Sequence, residues 1–336
     1  MNSMTAIEVE SPARLHLGFI DPSGSAGRRF GSLGLTVDGL STRIRLSRAT
    51  SPSNAYVVAS DVARPEIARA QVHLERLRQT CNYSEPLSLE LLDAIPPHAG
   101  LGSGTQLALA LGYAVTRLAG RNWSTRQIAA LTDRGNRSGI GIGAFEQGGF
   151  IVDGGRGDAT EVPPVISRLP FPANWRVILL FDQTFAGVHG DAEIEAFRRL
   201  PPFTAASAGR LAQLTLMNVL PGLAEADFPL FGRAITEIQA AVGDHFAPAQ
   251  GGRFASRNVA RWLDWFAARG SLCLGQSSWG PTGFVITASA DEASALLHAA
   301  KAAREVGDPV RFRTVSGRNA GARINESTTT TQSLNS

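Results

Sequence analysis

Lysine is almost missing from this chain. Of its 32 basic residues only Lys301 is a lysine; the rest are arginines. A Schiff-base lysine, or the lysine of a P-loop, would have to be Lys301, in a polar helical stretch near the end. Both chemistries are set aside. Cysteine is scarce as well. Cys81 and Cys273 form no framework of bridges or ligands, and each reads as a small buried apolar residue. That suits a reducing compartment. No apolar run reaches the length needed to span a bilayer, and "MNSMTAIEVESPARLHLG" lacks a basic start followed by a continuous apolar stretch. The expectation is a soluble cytoplasmic protein. No basic run is interleaved with aromatics, so no nucleic-acid partner is expected. No cluster has the spacing of a zinc site.

What is present is enough for a packed enzyme. The 336 residues are 43% hydrophobic and 18% charged, enough for two ordinary domains or one large one. Arginine grips phosphates and carboxylates through a planar fork, so small anions are attractive partners. The patterning predicts a strand in "IEVESPARLHLGFID" and two strands around a turn in "GSLGLTVDGLSTRIRLSRA". A helix follows in "PEIARAQVHLERLRQTCN", then a strand in "PLSLELLDAI" and a helix in "TQLALALGYAVTRLAG". "GAFEQGGFIVDGG" and "WRVILLFDQT" read as strands. The proline-rich stretch between those two suggests a boundary near residues 170 and 171. Helices are expected at about 191–200, 204–220, 229–242 and 255–269, and a disordered polar tail at 325–336. Strands and helices mix without regular βαβ alternation, which favours α+β.

The densest signal is "IPPHAGLGSGTQLALALGYAV". Glycines crowd against a helix start, where N–H groups and the positive end of the helix dipole converge. Glycine lets the backbone close on an anion. Read alone, the stretch is equally a structural strand-to-helix turn. It matches neither the P-loop nor G-x-G-x-x-G.

Pro96-Pro97-His98-Ala99-Gly100-Leu101-Gly102-Ser103-Gly104-Thr105 resembles the P-x-x-x-G-L-G-S-S signature of the GHMP kinase superfamily, with Gly104 in place of the second serine. "RSGIG", residues 137–141, is similar to its P-S-G-x-D segment, and "GQSSWGPTG", residues 275–283, stands where its third glycine-rich motif belongs. The resemblance implies a ribosomal protein S5 domain 2-like N-terminal domain and a ferredoxin-like C-terminal domain with a cleft between them. It also brings a departure: Gly141 stands where those kinases carry a catalytic aspartate. General-base catalysis typically supplies about 10²–10⁴-fold, so a hydroxyl nucleophile here would lack its base unless Asp133 or Glu146 replaced it.

One branch of the superfamily is similar throughout and needs no such base. "SPARLHLGFID", "GRRFGSLGL", "GLGSGTQLALA", "RSGIGIGAFEQGGFIVDGG" and "GQSSWGPTGF" resemble the β-ribofuranosylaminobenzene 5′-phosphate synthases. That family joins phosphoribosyl pyrophosphate to 4-aminobenzoate with loss of CO2 and pyrophosphate, in methanopterin biosynthesis. An ATP-dependent small-molecule kinase is the alternative. Under the resemblance Gly100, Leu101, Gly102, Ser103, Gly104 and Thr105 cradle pyrophosphate, and Arg14 and Arg28 contact phosphate or carboxylate. Without the resemblance, both arginines read first as solvated surface charges. His16 lies two residues beyond Arg14 on one strand face. Asp21, with Ser103, is a candidate to help hold Mg2+, expected mainly as the donor's counter-ion, or Asp21 to hold the ribose hydroxyls; a turn aspartate before Pro22 is also an ordinary sight. Arg137 and Ser138 are placed near the aminobenzoate, and Glu146 is a candidate acceptor for its amino group or else an exposed charge. Ser277, Ser278 and Thr282 line the far wall. His189 and Asp191 read as loop residues, His73 and His245 as structural. A homodimer is a family-based expectation. The acidic pair of ordinary phosphoribosyltransferases is absent: "LLFDQTFAG" has one aspartate.

Overall fold

The computed structural model describes residues 2–185 and 200–330. The expected helix at 191–200, with His189 and Asp191, lies outside them apart from Leu200. Two sheets organise the rest. β1 (Asn2–Asp21) and β2 (Phe30–Arg48) form one long antiparallel ribbon, Leu15 opposite Leu35 and His16 opposite Gly34. With β3 (Ala55–Val58), β4 (Leu87–Asp93), β5 (Phe150–Asp153), β6 (Val165–Leu169) and a last strand from the chain's end, they make a seven-stranded sheet. Its helices are α1 (Ile67–Thr80), α2 (Ser103–Leu118), α3 (Thr125–Leu131) and α4 (Ile140–Glu146).

The second sheet holds β7 (Arg176–Asp182), β8 (Cys273–Gln276), β9 (Gly283–Thr287) and β10 (Val310–Ser316), all antiparallel in the order β10-β7-β9-β8. Between its strands run α5 (Ala205–Leu214), α6 (Leu220–Ala224), α7 (Phe228–Gln250), α8 (Arg257–Ala267) and α9 (Ala290–Ala302). That strand order, with helices between the first and second and between the third and fourth strands, is the ferredoxin-like arrangement. β7 is buried on both faces. Val177 and Leu179 meet Phe231 and Ile235 of α7, while Ile178 and Leu180 meet Trp262 and Phe266 of α8. Its continuous apolar run follows from that two-sided burial.

The sheets share a core. Leu15, Leu17, Leu33 and Leu35 from the first pack in one cluster with Trp175, Leu179, Phe231 and Phe284. Burying each such side chain stabilises by about 1.5–3 kcal/mol, so the cleft is set by packing. Further along β1, Ile7 and Val9 instead pack with Leu74, Leu107 and Leu111 beneath α1 and α2. The change of partner coincides with a register break between Pro12 and Arg14. Among the described residues no helix is long and apolar enough to cross a membrane.

Three sequence expectations change. The two strands expected within residues 31–49 are one strand, kinked where Gly39 takes a φ of 75°. Residues 143–146, the start of the strand expected at 143–155, are helical and end α4. Glycine weakens a helix in isolation, but a Cβ on Gly141 would lie 2.9 Å from Thr105 Cγ2 and one on Gly143 3.0 Å from Ile151 Cδ1. Only glycine lets this helix approach so closely. Finally, residues 325–330 of the expected tail belong to β11 (Arg323–Thr330), which pairs antiparallel with β1, Ile7 opposite Glu326. Its exposed Ser327 and Thr328 suit a solvated edge strand.

Candidate functional site

The glycine loop is clamped from two sides. Gly100 and Gly102 have φ of 75° and 87°, a region costly to other residues, and Gly102 caps α2 without a side chain. α2 thus presents its first backbone N–H groups with no competing capping oxygen. The turn after β8 sits directly on the loop. A Cβ on Gly100 would collide with Ser277 O, and one on Gly280 with Gly100 N. Ser277 is the clasp: its Oγ donates to Gly100 O at 2.7 Å and accepts from His16 N at 3.0 Å. Ser278 N donates to His16 O at 3.1 Å. β1, the glycine loop and the third motif, far apart in sequence, therefore meet at one point.

Two arginines bracket the helix start. Arg14 Nη1 donates to Gly100 O at 2.6 Å, and its guanidinium carbon lies 3.3 Å from where a Cβ of Gly102 would be. Burial lowers its pKa to about 10, so it stays cationic at neutral pH. On the other side, Arg134 Nη1 lies 3.5 Å from where a Cβ of Gly104 would be. Its Nη2 meets His73 Nε2 at 3.3 Å. The His73 pKa is lowered to about 4, by burial first and then by Arg134. The Nε atoms of both arginines are buried without a hydrogen-bond partner. A buried donor left unmade costs about 1–3 kcal/mol, more when charged, and an anion at the helix start would recover it. Arg134 carries no sequence motif; its place depends on the packing of α1 against the turn after α3.

Ser138 contacts a carboxylate that also escaped the sequence patterns. Asp153, fully buried, accepts from Ser138 Oγ at 3.0 Å and from the N–H groups of Gly139 and Gly155 at 2.9 Å each. Burial raises its pKa. These bonds anchor the backbone leading into α4, so Ser138 is held as a positioning residue. Arg137 is half-buried beside it.

The position of the kinase aspartate is closed. Thr105 lies against Gly141, and Gln106 Nε2 donates to Gly141 O at 2.8 Å. The alternative bases stand outside. Asp133 is exposed and paired with Arg76 at 2.8 Å, and Glu146 is exposed at the end of α4.

Two other candidates are engaged elsewhere. Asp21 accepts from Gly24 N at 2.8 Å and Ala26 N at 2.7 Å on its two oxygens, with Ser23 N and Ser25 Oγ beside them. It caps the turn that follows β1. Among the described residues no group of three His, Cys, Asp or Glu is arranged to hold a metal. Arg28 is exposed and donates to Gly154 O at 2.6 Å and Gly155 O at 2.8 Å. No described contact joins it to the glycine loop. Thr282 is buried with its carbonyl accepting from Ser277 N at 2.9 Å, which places it behind the clasp.

A ferredoxin-like half joined through one core to a sheet whose glycine loop opens a helix defines the GHMP kinase class. Two family models meet the chain accordingly: GHMP kinases N terminal domain over residues 67–149 and GHMP kinases C terminal over residues 219–305. Homoserine kinase from Cytophaga hutchinsonii shares the fold with a TM-score of 0.64 at 19% identity, covering 95% of this chain and 97% of that one. Mevalonate diphosphate decarboxylase from Enterococcus faecalis gives 0.64 at 17%, covering 97% and 100%.

Sequence relatives narrow the class. A protein of Methanothermobacter thermautotrophicus named β-ribofuranosylphenol 5′-phosphate synthase is 30% identical over 329 residues, 94% of this chain and 97% of the relative. One of the same name from Archaeoglobus fulgidus is 31% identical over 297 residues, 84% and 88%. The chain belongs to this synthase family within the GHMP kinase superfamily. Its relatives' name carries a phenol where the sequence resemblance implied an aminobenzene.

Proposed function

We propose that the chain transfers a phosphoribosyl group from phosphoribosyl pyrophosphate to the ring carbon of a 4-substituted benzoate, with loss of CO2 and pyrophosphate. The donor's diphosphate lies at the start of α2, over Gly100 to Thr105, between Arg14 and Arg134. The observation that carries this reading is the pairing of two partly buried guanidiniums, each with an unpartnered Nε, with a Gly141 where a side chain would press on Thr105. The grip on an anion is kept where the base is missing.

The chemistry balances without that base. The bond from ribose C1 to diphosphate breaks with its electron pair leaving on oxygen, and positive charge develops at C1. The ring carbon bearing the carboxylate attacks, driven by the lone pair of its para substituent. The carbon–carboxylate bond then breaks, its electrons restore the aromatic ring, and CO2 leaves where a proton ordinarily would. Arg14, Arg134 and the helix start stabilise charge on the departing diphosphate, an electrostatic contribution greatest in a water-poor site. Holding ring and C1 in line can contribute about 7–11 kcal/mol at best. Mg2+ enters as the donor's counter-ion. An amino or a hydroxyl group can drive the attack, and the relatives' name favours hydroxyl.

Phosphoribosyl pyrophosphate with carboxyl-labelled 4-hydroxybenzoate or 4-aminobenzoate tests the reading. Release of labelled CO2 matched by pyrophosphate supports it. Consumption of ATP with a small alcohol, and no labelled CO2, would instead establish the kinase.

A further inference from the structure

On the other side of the Ser277 clasp lies a recess that the phosphate site does not use. It is lined chiefly by His16 and Phe19 of β1, Gln239 and Phe246 of α7, Gln276 of β8 and Trp279 of the following turn. Its walls are flat rings: His16 and Phe19 centroids are 4.6 Å apart, Phe246 and Trp279 4.9 Å. The cavity is small, about 30 Å3, room for roughly one or two waters. A ring therefore enters only as lining side chains move, Gln250 and Arg253 being among them.

Its polar groups are mostly spent. Gln239 Nε2 donates to Leu17 O at 2.7 Å, and its Oε1 accepts from Gln276 N at 2.7 Å. Gln276 Oε1 accepts from Ala255 N at 2.7 Å, and its Nε2 donates to Ser278 O at 2.9 Å. The His16 ring is not spent. His16 is 4% exposed, and its Nε2 is buried without a partner. A neutral ring that carries its proton on Nδ1 leaves a lone pair on Nε2. Burial, then the charge of Arg14, lowers the His16 pKa to about 3, so the ring is neutral under working conditions. The recess therefore asks for a flat apolar body carrying one hydrogen-bond donor.

We propose that this recess takes the ring of the aromatic acceptor, with His16 Nε2 receiving the hydrogen bond from the group para to its carboxylate. The identity of the ring rests on the proposed function; the demand for a flat donor ligand does not. The hydrogen bond draws the proton of the para group outward and enriches the lone pair that drives ring attack. It also selects: hydroxyl and amino groups donate, whereas a methoxy group or a bare ring leaves Nε2 unsatisfied.

Calorimetric titration of the full chain, with inorganic pyrophosphate present, tests this using 4-hydroxybenzoate, 4-aminobenzoate, 4-methoxybenzoate and benzoate. The first two are expected to bind at least tenfold more tightly than the last two. His16→Leu should collapse that preference to near unity. His16→Gln, whose Oε1 can stand in for Nε2, should restore most of it. If His16→Leu fails to fold, the 15N shift of His16 Nε2 in the native chain replaces it and should move on adding 4-hydroxybenzoate. No preference in the native chain, a preference undiminished in His16→Leu, or an unmoved shift overturns the assignment. Labelled-CO2 release is scored separately. Preferential binding without CO2 release keeps the recess and rejects the synthase. CO2 release with an undiminished preference in His16→Leu keeps the synthase and rejects the recess.

Discussion

The two sides of the Ser277 clasp differ in kind. One is built from backbone N–H groups and cationic arginines. The other is built from rings and a neutral histidine. Both hang on the same strand, since Arg14 serves the first and His16 the second, two residues apart. A single site for one substrate would not need this division. Separating an anion-binding surface from an aromatic one, with one serine hydroxyl bridging Gly100 O and His16 N, is what a two-substrate condensation requires. The contrast also limits crosstalk, because changes on one side should alter one substrate's kinetics.

The clasp itself is the exception, and breaking it should have the largest effect. Gly100→Ala puts a Cβ onto Ser277 O and forces alanine into a φ of 75°. The conformation alone costs about 1–2 kcal/mol and overpacking about 1–3 kcal/mol more. Activity should fall at least ~100-fold with both substrates, since misplacement of about 1 Å can cost that much. Melting curves and kcat/KM for donor and acceptor check it. A loss confined to one substrate would mean that the clasp does not couple the sides.

Arg134→Gln should separate them. Losing a charge-assisted hydrogen bond costs about 1.5–3 kcal/mol, so the donor's KM should rise roughly tenfold to a hundredfold. The acceptor's KM should stay within about twofold, the spread left by a surface change of ±0.5 kcal/mol. Equal rises in both constants would place Arg134 outside the donor site.

The glycine loop's backbone shape was legible in the sequence and the aromatic recess was not. Gly100, Gly102 and Ser103 sit together in the chain, and local spacing reveals a local backbone shape. Arg14 was legible only through the motif around it. Arg134 was not, because its neighbours come from elsewhere: His73 is 61 residues away on α1. The recess collects Phe19, Phe246 and Trp279 from three distant elements, and no period or motif links them. Asp153 reads as an ordinary strand end before two glycines until burial shows what it anchors. Residues 143–146 mislead for a related reason. Gly143 argues against a helix locally, and its close contact with Ile151 reverses that argument. What the sequence encodes over short range was readable, and what it encodes by packing was not.

The neutral histidine also sharpens the contrast through pH. A histidine whose pKa is lowered on folding binds fewer protons in the native state than in the unfolded one. Its contribution is therefore complete above the unfolded value near 6.5 and is lost as pH falls toward about 3. At pH 5 the loss is on the order of 2 kcal/mol, at about 1.4 kcal/mol per pH unit. His73, lowered to about 4 but only half-buried, acts in the same direction and less strongly. Denaturant unfolding at pH 7 and pH 5 should show the native chain losing more stability than His16→Gln. Parallel losses would mean that His16 is protonated in the folded protein.

The smallest effect tests where the anion side ends. The sequence resemblance placed Arg28 with Arg14 at the phosphates, yet its guanidinium grips Gly154 O and Gly155 O, just past Asp153. It staples the turn before β2 to that strand end. An exposed arginine in such a role contributes little, so Arg28→Ala should change stability by no more than about 1 kcal/mol. The donor's KM should stay within about twofold, far below the change expected for Arg134→Gln. A tenfold rise in donor KM would show that the turn carrying Arg28 swings onto the bound diphosphate, making the cationic surface larger than the Arg14 and Arg134 pair.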